Sequence, residues 1–146
     1  MTNPNDASST KGNFDHERHE THENLLYKDH VYAIQGAIFD VYKEMGCGYL
    51  EAVYQECLEK ELRLRNIPFV AQPILTLSYK GMPLNQTYKP DIVCHNQIIL
   101  ELKAVKKIAP EHQAQVLNYL KGTGLRLGLI VNFGHNPKVE IQRIAR

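Results

Sequence analysis

The stretch KPDIVCHNQIILELKAVKKI, residues 89 to 108, reads as two β-strands joined by a polar turn, with charges where neutral residues would be the safer choice. Side chains along a strand point to alternate faces, so Ile98, Leu100 and Leu102 share one face while Glu101 and Lys103 share the other. His95 and Asn96 supply turn chemistry. An odd-length turn of about three residues, His95 to Gln97, sets Val93 opposite Ile99 and Asp91 opposite Glu101. Both acids and the lysine then meet on one face, and the functional reading rests on that register.

Two carboxylates facing each other across a ladder repel. A hard divalent cation relieves the repulsion: Mg²⁺ accepts one or two carboxylates together with waters and phosphate oxygens. Such an ion lowers the pKa of a bound water and polarises a phosphoryl group. Lys103, a compact ammonium beside the pair, suits positioning of the water or neutralising charge on phosphorus. This is equipment for metal-assisted phosphodiester hydrolysis, with Mg²⁺ as the cation. The pattern is loose, and a cross-strand Glu–Lys pair on a solvated face fits the same residues.

Working outward, Val31, Ile34, Ile38, Val41 and Met45 recur at steps of three and four from about Tyr27, which predicts an amphipathic helix closed by Gly46 and Gly48. A second helix is expected from Leu50 to Arg65, with Leu50, Val53, Tyr54, Cys57, Leu58 and Leu62 as its buried stripe and Pro68 beyond its end. Three strand-like runs follow, PILTLSYKG, NQTYKPDIVC and QIILELKAV. A helix is predicted from Pro110 to Lys121. The apolar run LRLGLIVNFG then suits a strand covered on both faces, and KVEIQRIA a short edge strand. The order is that of one α/β domain.

At 146 residues, with 43% hydrophobic and 23% charged residues, the chain suits one globular domain. A net charge of +1 gives no global pull toward nucleic acid or membrane. Cys47, Cys57 and Cys94 are widely spaced and form no Cys-x-x-Cys pair, which argues against a disulfide framework or a thiolate zinc site. Nothing around Cys47 or Cys94 recommends a cysteine hydrolase. No run approaches the roughly 20 apolar residues of a membrane span, and the polar N-terminus lacks the form of a secretion signal. A cytoplasmic location follows as the expectation. Residues 1 to 24 are polar and poor in aliphatics, and read as a flexible tail ahead of a domain over 25 to 146. His16, His19 and His22 within it miss the i, i+4 spacing of a zinc-protease helix.

Four short motifs in order carry a family resemblance over roughly residues 27 to 135. GYLEAVY, with Gly48, Glu51 and Tyr54, is similar to the Gly-x-x-Glu-x-x-Tyr motif of a group of small bacterial and archaeal proteins within the PD-(D/E)xK nuclease superfamily. Pro90-Asp91 and Glu101-Leu102-Lys103 match the motifs that name the superfamily. QVLNY resembles the Gln-x-x-x-Tyr motif of its RecB-like branch, through Gln115 and Tyr119.

The resemblance implies a restriction-endonuclease-like αβββαβ core, a mixed central sheet flanked by helices with one extra N-terminal helix. It implies that Asp91, Glu101 and the Leu102 backbone carbonyl hold the metal, that Lys103 serves the water, and that Glu51 faces the site as a catalytic residue, touching the metal directly or through water. Gln115, also on the catalytic side, would orient the water or contact phosphate. Tyr119 would stack on a base or simply pack, and Lys106, Lys107 and Lys121 would line a phosphate path or merely a solvated edge. A nuclease-fold module that binds nucleic acid or a protein without catalysis is the alternative, and a homodimer is left open. Fold alone does not establish activity.

Overall fold

The computed structural model describes the backbone from Ser9 onward and the side chains from Tyr27 to Arg146. The first eight residues of the expected tail, and the side chains of His16, His19 and His22, lie outside the described residues. By backbone proximity the chain forms two units, Met1–Ala33 and Ile34–Arg146. The first, where described, is the leading part of helix α1 (Ser9–Met45). Everything below concerns the second.

Within that unit, Ile34, Ala37, Ile38 and Val41 of α1 are buried, at the spacing that puts them on one helix face. The Gly46 N–H bonds to the Tyr42 carbonyl at 2.8 Å as the helix ends. Helix α2 (Glu51–Leu64) follows with Leu50 in an extended N-cap conformation. Leu50 is therefore outside the helix and 79% exposed, so the buried stripe narrows to Tyr54, Leu58 and Leu62. Val53 and Cys57 are half-buried.

Tyr54 explains the sequence between the two helices. Its hydroxyl donates to the Gly46 carbonyl at 2.5 Å and accepts the Tyr49 N–H at 3.3 Å, while its ring stacks on Phe133 at 4.5 Å. Gly48 supplies the φ of +116° that this connection needs, a conformation L side chains rarely adopt. The Gly and Tyr of Gly-x-x-Glu-x-x-Tyr thus shape the turn and lock it, leaving the Glu between them at the first position of α2.

Among the described residues, seven strands form two sheets. In the five-stranded sheet, β1 (Phe69–Ala71) pairs with β4 (Ile92–Cys94), which pairs with β5 (Ile98–Lys103), then β6 (Leu127–Asn132) and β7 (Glu140–Ala145). The sheet is mixed: β5 and β6 are parallel and the other pairs antiparallel. Between β5 and β6 runs α3 (Pro110–Thr123), the crossover a parallel pair requires. Strands β2 (Leu75–Tyr79) and β3 (Met82–Tyr88) make a separate hairpin.

The run expected as one strand, NQTYKPDIVC, is two. Pro90 has no N–H for a ladder, so the chain leaves β3 after Tyr88 and enters β4 only at Ile92. Strand β1, set between Pro68 and Pro73, was not expected from the sequence because it is only three residues long.

Both faces of the central sheet are covered. Tyr88, Val93, Ile99, Ile108, Val116, Leu120 and Ile130 form one apolar cluster, joined by Leu75 and Leu77 of the hairpin. By alternation Ile98, Leu100 and Leu102 point to the opposite face, and all three are buried. Each such aliphatic side chain contributes about 1.5–3 kcal/mol relative to exposure. Among the described residues no helix is long and apolar enough to cross a membrane.

The lock at Tyr54 is open to measurement by urea unfolding. Tyr54→Phe removes only the hydroxyl bonds and is expected to cost about 1 kcal/mol, whereas Tyr54→Ala also empties a fully buried site and is expected to cost about 4 kcal/mol.

Candidate metal centre

The β4–β5 register has Val93 opposite Ile99 and Ile92 opposite Leu100, across a turn in which His95 and Asn96 both have positive φ. Continued one pair further, it sets Asp91 beside Glu101, as the hairpin parity predicted. The ladder itself stops at Ile92, and the Asp91 side chain takes over: its Oδ2 accepts the Leu102 N–H at 2.7 Å. A carboxylate stands where a strand carbonyl would have been.

Alternation places the neighbouring carbonyl. The Lys103 carbonyl accepts the Phe133 N–H on the β6 side, so the Leu102 carbonyl is turned to the β4 side, as its N–H is. There β4 has already ended. The available donors are two carboxylates and one peptide oxygen, an all-oxygen set suited to a hard divalent cation such as Mg²⁺ or Mn²⁺.

Electrostatics point the same way. Burial pushes the Glu101 carboxyl up from 4.5 to about 7, with the Asp91 charge adding to the shift against the pull of Tyr88 and Lys103. Burial also raises Asp91, opposed by the Leu102 N–H and Lys103 and helped by the Glu51 charge. Without a cation, this pocket disfavours the charged form of both acids. These residues fit a metal.

Glu51 bonds to the backbone next to the pair. Its Oε1 accepts the Ala104 N–H at 3.3 Å, gripping the chain just beyond Lys103. Among the described residues, no three His, Cys, Asp or Glu side chains gather closely enough to hold an ion. One turn along α2, Gln55 donates to the Asp91 carbonyl at 2.9 Å. Thus α2 grips both flanks of the centre, at Asp91 and at Ala104.

A cavity of about 270 Å³ opens beside Glu101, lined by Thr87, Tyr88, Lys89, Lys103, Gln115, Val116 and Tyr119. It unites Glu101 and Lys103 with Gln115 and Tyr119 of α3. Tyr119 stacks on Tyr88 with ring centroids 3.6 Å apart, so packing accounts for at least one of its faces. Lys106, Lys107 and Lys121 are exposed and stand outside this lining.

Three contributors escaped the sequence reading. Tyr88 donates its hydroxyl to Glu101 Oε1, and burial raises its phenol well above the ordinary range, keeping it a neutral donor. Gln55 follows Glu51 at i+4, a same-face spacing that was legible. Asn132 is fully buried: its Oδ1 accepts the Val105 and Gly134 N–H groups, each at 3.0 Å, and its Nδ2 donates to Glu140 at 3.2 Å. Glu140 in turn accepts the Ile108 N–H at 3.2 Å. This network pins the segment after β5, against which Gly134 packs so closely that a Cβ would meet the Val105 backbone at 2.5 Å.

A family model described as the PD-(D/E)XK nuclease superfamily matches residues 28–144. Among solved structures, the crystal structure of SSO0001 is similar with a TM-score of 0.49 and 16% identity, covering 65% of this chain and 49% of that one. The chain therefore spans about half the length of that neighbour. A search of curated proteins finds no match.

The Glu101 shift fixes a sign for stability. An acid whose folded pKa is raised lends stability that is complete below its unfolded value, near 4.5, and lost as pH rises through about 7, because the unfolded chain releases the proton first. In metal-free buffer, wild type is expected to lose stability from about pH 5 to pH 8 relative to Glu101→Gln, by on the order of 3 kcal/mol at most. Chemical unfolding of both proteins across that range checks it.

Proposed function

Because the chain belongs to the PD-(D/E)XK nuclease superfamily, we propose that it is a Mg²⁺-dependent nuclease that hydrolyses phosphodiester bonds of DNA, with Mn²⁺ able to substitute. The observation that carries this reading is the Asp91 carboxylate bonded to the Leu102 N–H, which stations one acid at the end of β5 next to Glu101 and Lys103. Asp91, Glu101 and the Leu102 carbonyl would hold the ion. When bound, Mg²⁺ supplies charge neutralisation at phosphorus and a water of lowered pKa.

The chain's own groups have separate tasks. Lys103, on the same strand face as Glu101, orients the attacking water and offsets negative charge developing on the phosphate. Tyr88 fixes the rotamer of Glu101 through their hydrogen bond. Gln115, on the cavity wall, offers its amide to the water or to a phosphate oxygen. Glu51, through Ala104, holds the end of β5 in place, with a water-mediated link to the ion as its further role. Lys106, Lys107 and Lys121 serve the phosphate path outside the cavity. The matches at Gly48, Glu51 and Tyr54, and at Gln115 and Tyr119, support placing the protein in the Gly-x-x-Glu-x-x-Tyr group and the RecB-like branch. A cytoplasmic location accords with that role.

One observation favours a non-catalytic nucleic-acid or protein-binding module instead: among the described residues, no three His, Cys, Asp or Glu side chains gather closely enough to hold an ion. Calorimetry with Mg²⁺ and Mn²⁺ separates the readings, since the enzyme is expected to bind at millimolar metal and Asp91→Asn to lose that binding. In parallel, single- and double-stranded DNA is incubated with Mg²⁺, Mn²⁺ or EDTA. Asp91→Asn and Lys103→Met are each expected to reduce cleavage at least about a hundredfold. Cleavage that persists in both variants, or in EDTA, would remove the assignment.

A further inference from the structure

The near-neutral total charge hides a division along the chain. Residues 1–65 carry 12 Asp and Glu against 7 Lys and Arg, whereas residues 66–146 carry 4 against 10. Of those four acids, Asp91 and Glu101 belong to the candidate centre, Glu140 is engaged by Asn132 and the Ile108 N–H, and Glu111 is exposed. The sheet, hairpin and α3 therefore present a predominantly basic surface, as a polyanionic partner requires.

The β2–β3 hairpin concentrates this character. From Gln72 to Pro90 there is no acid, and Lys80 and Lys89 are the charged residues. Leu75 and Leu77 seat β2 in the apolar cluster with α3. Strand β3 is exposed from Met82 to Thr87 and buried only at Tyr88. At the tip, Tyr79, Met82 and Leu84 are 55%, 56% and 42% exposed, and the Lys80 ammonium lies 5.4 Å from the centroid of the Tyr79 ring. At the base, Thr87, Tyr88 and Lys89 line the cavity of the candidate centre. One strand, about 20 Å long, thus leads from the cavity to an aromatic and cationic tip.

We propose that the β2–β3 hairpin is an arm that holds single-stranded nucleic acid leading into the candidate centre, with Tyr79 and Met82 offered to bases and Lys80 and Lys89 to phosphates. The path toward the centre rests on the nuclease reading; the binding itself does not. Charge complementarity selects the occupant, because an apolar patch built for a protein partner has no need of a long acid-free segment. Strandedness follows from the exposed aromatic face, which only unstacked bases can reach. The cavity at the base, about 270 Å³, is also on the scale of one nucleotide rather than a duplex.

The test is fluorescence anisotropy of the full-length protein in EDTA, so that nothing is cleaved. The probes are a labelled DNA single strand long enough to span the hairpin and its duplex. Wild type is expected to prefer the single strand. Tyr79→Ala is expected to weaken that binding by about tenfold, the scale of one lost base–aromatic stack. Lys80→Gln is expected to lower the salt dependence by about 0.7 in log–log slope. Both positions are exposed, so circular dichroism melts should coincide with wild type.

Variants that bind as wild type does, or a wild type that prefers the duplex, overturn the proposal. So does sedimentation in which the tip substitutions dissolve a dimer while DNA affinity is unchanged. A wild type that binds through the arm but cleaves no DNA in Mg²⁺ sinks the nuclease reading alone. Cleavage by a protein whose arm variants bind normally sinks the arm alone.

Discussion

The hydrogen bond from the Leu102 N–H to the Asp91 carboxylate sits where the sheet ends and the candidate metal centre begins. Pro90 ends the ladder by withholding a donor, and an unmatched strand end would leave a buried amide to be satisfied. Asp91 satisfies it from its side chain, so β5 stays straight for one more residue while the adjoining carbonyl remains available. The acid that caps the strand is also the candidate cation ligand. Removing it therefore disturbs structure and chemistry together, and a conservative Asn is a better probe than Ala.

Around that point the architecture works by restraint from behind. Glu51 and Gln55 on α2 grip the backbone at Ala104 and Asp91, and Asn132 with Glu140 pins the segment running from Val105 to Ile108. The Tyr54 lock fixes the start of α2, which in turn fixes Glu51. Strong support is needed because Asp91 and Glu101 are both held where their charged forms are disfavoured. A looser frame would let them drift apart and the tension between them would disappear.

Sequence parity was enough to bring Asp91, Glu101 and Lys103 together, since β5 is a regular strand and its turn to β4 has turn residues at the right places. Parity failed for Tyr88. It lies three positions before Asp91 and, in one continuous strand, would face the other way; the break at Lys89 and Pro90 resets the alternation, so both approach Glu101. The detached hairpin was equally hidden, because local apolar spacing does not say which sheet a strand joins. Asn132 could not have been singled out either: within an apolar run it looks like an ordinary strand end, and only the fold reveals the two backbone N–H groups and the acid it connects.

The turn between β4 and β5 has a consequence of its own. Distances at the candidate centre vary continuously, but parity has no intermediate values. Lengthening or shortening that connection by a single residue would carry Asp91 through to the reverse side of the sheet with composition, hydrophobic content and all three ionic groups intact. For this protein the count of residues from Cys94 to Ile98 is thus as strict a requirement on descent as the identity of any acid, and a lineage that altered it would keep a stable sheet and lose the pocket in one step.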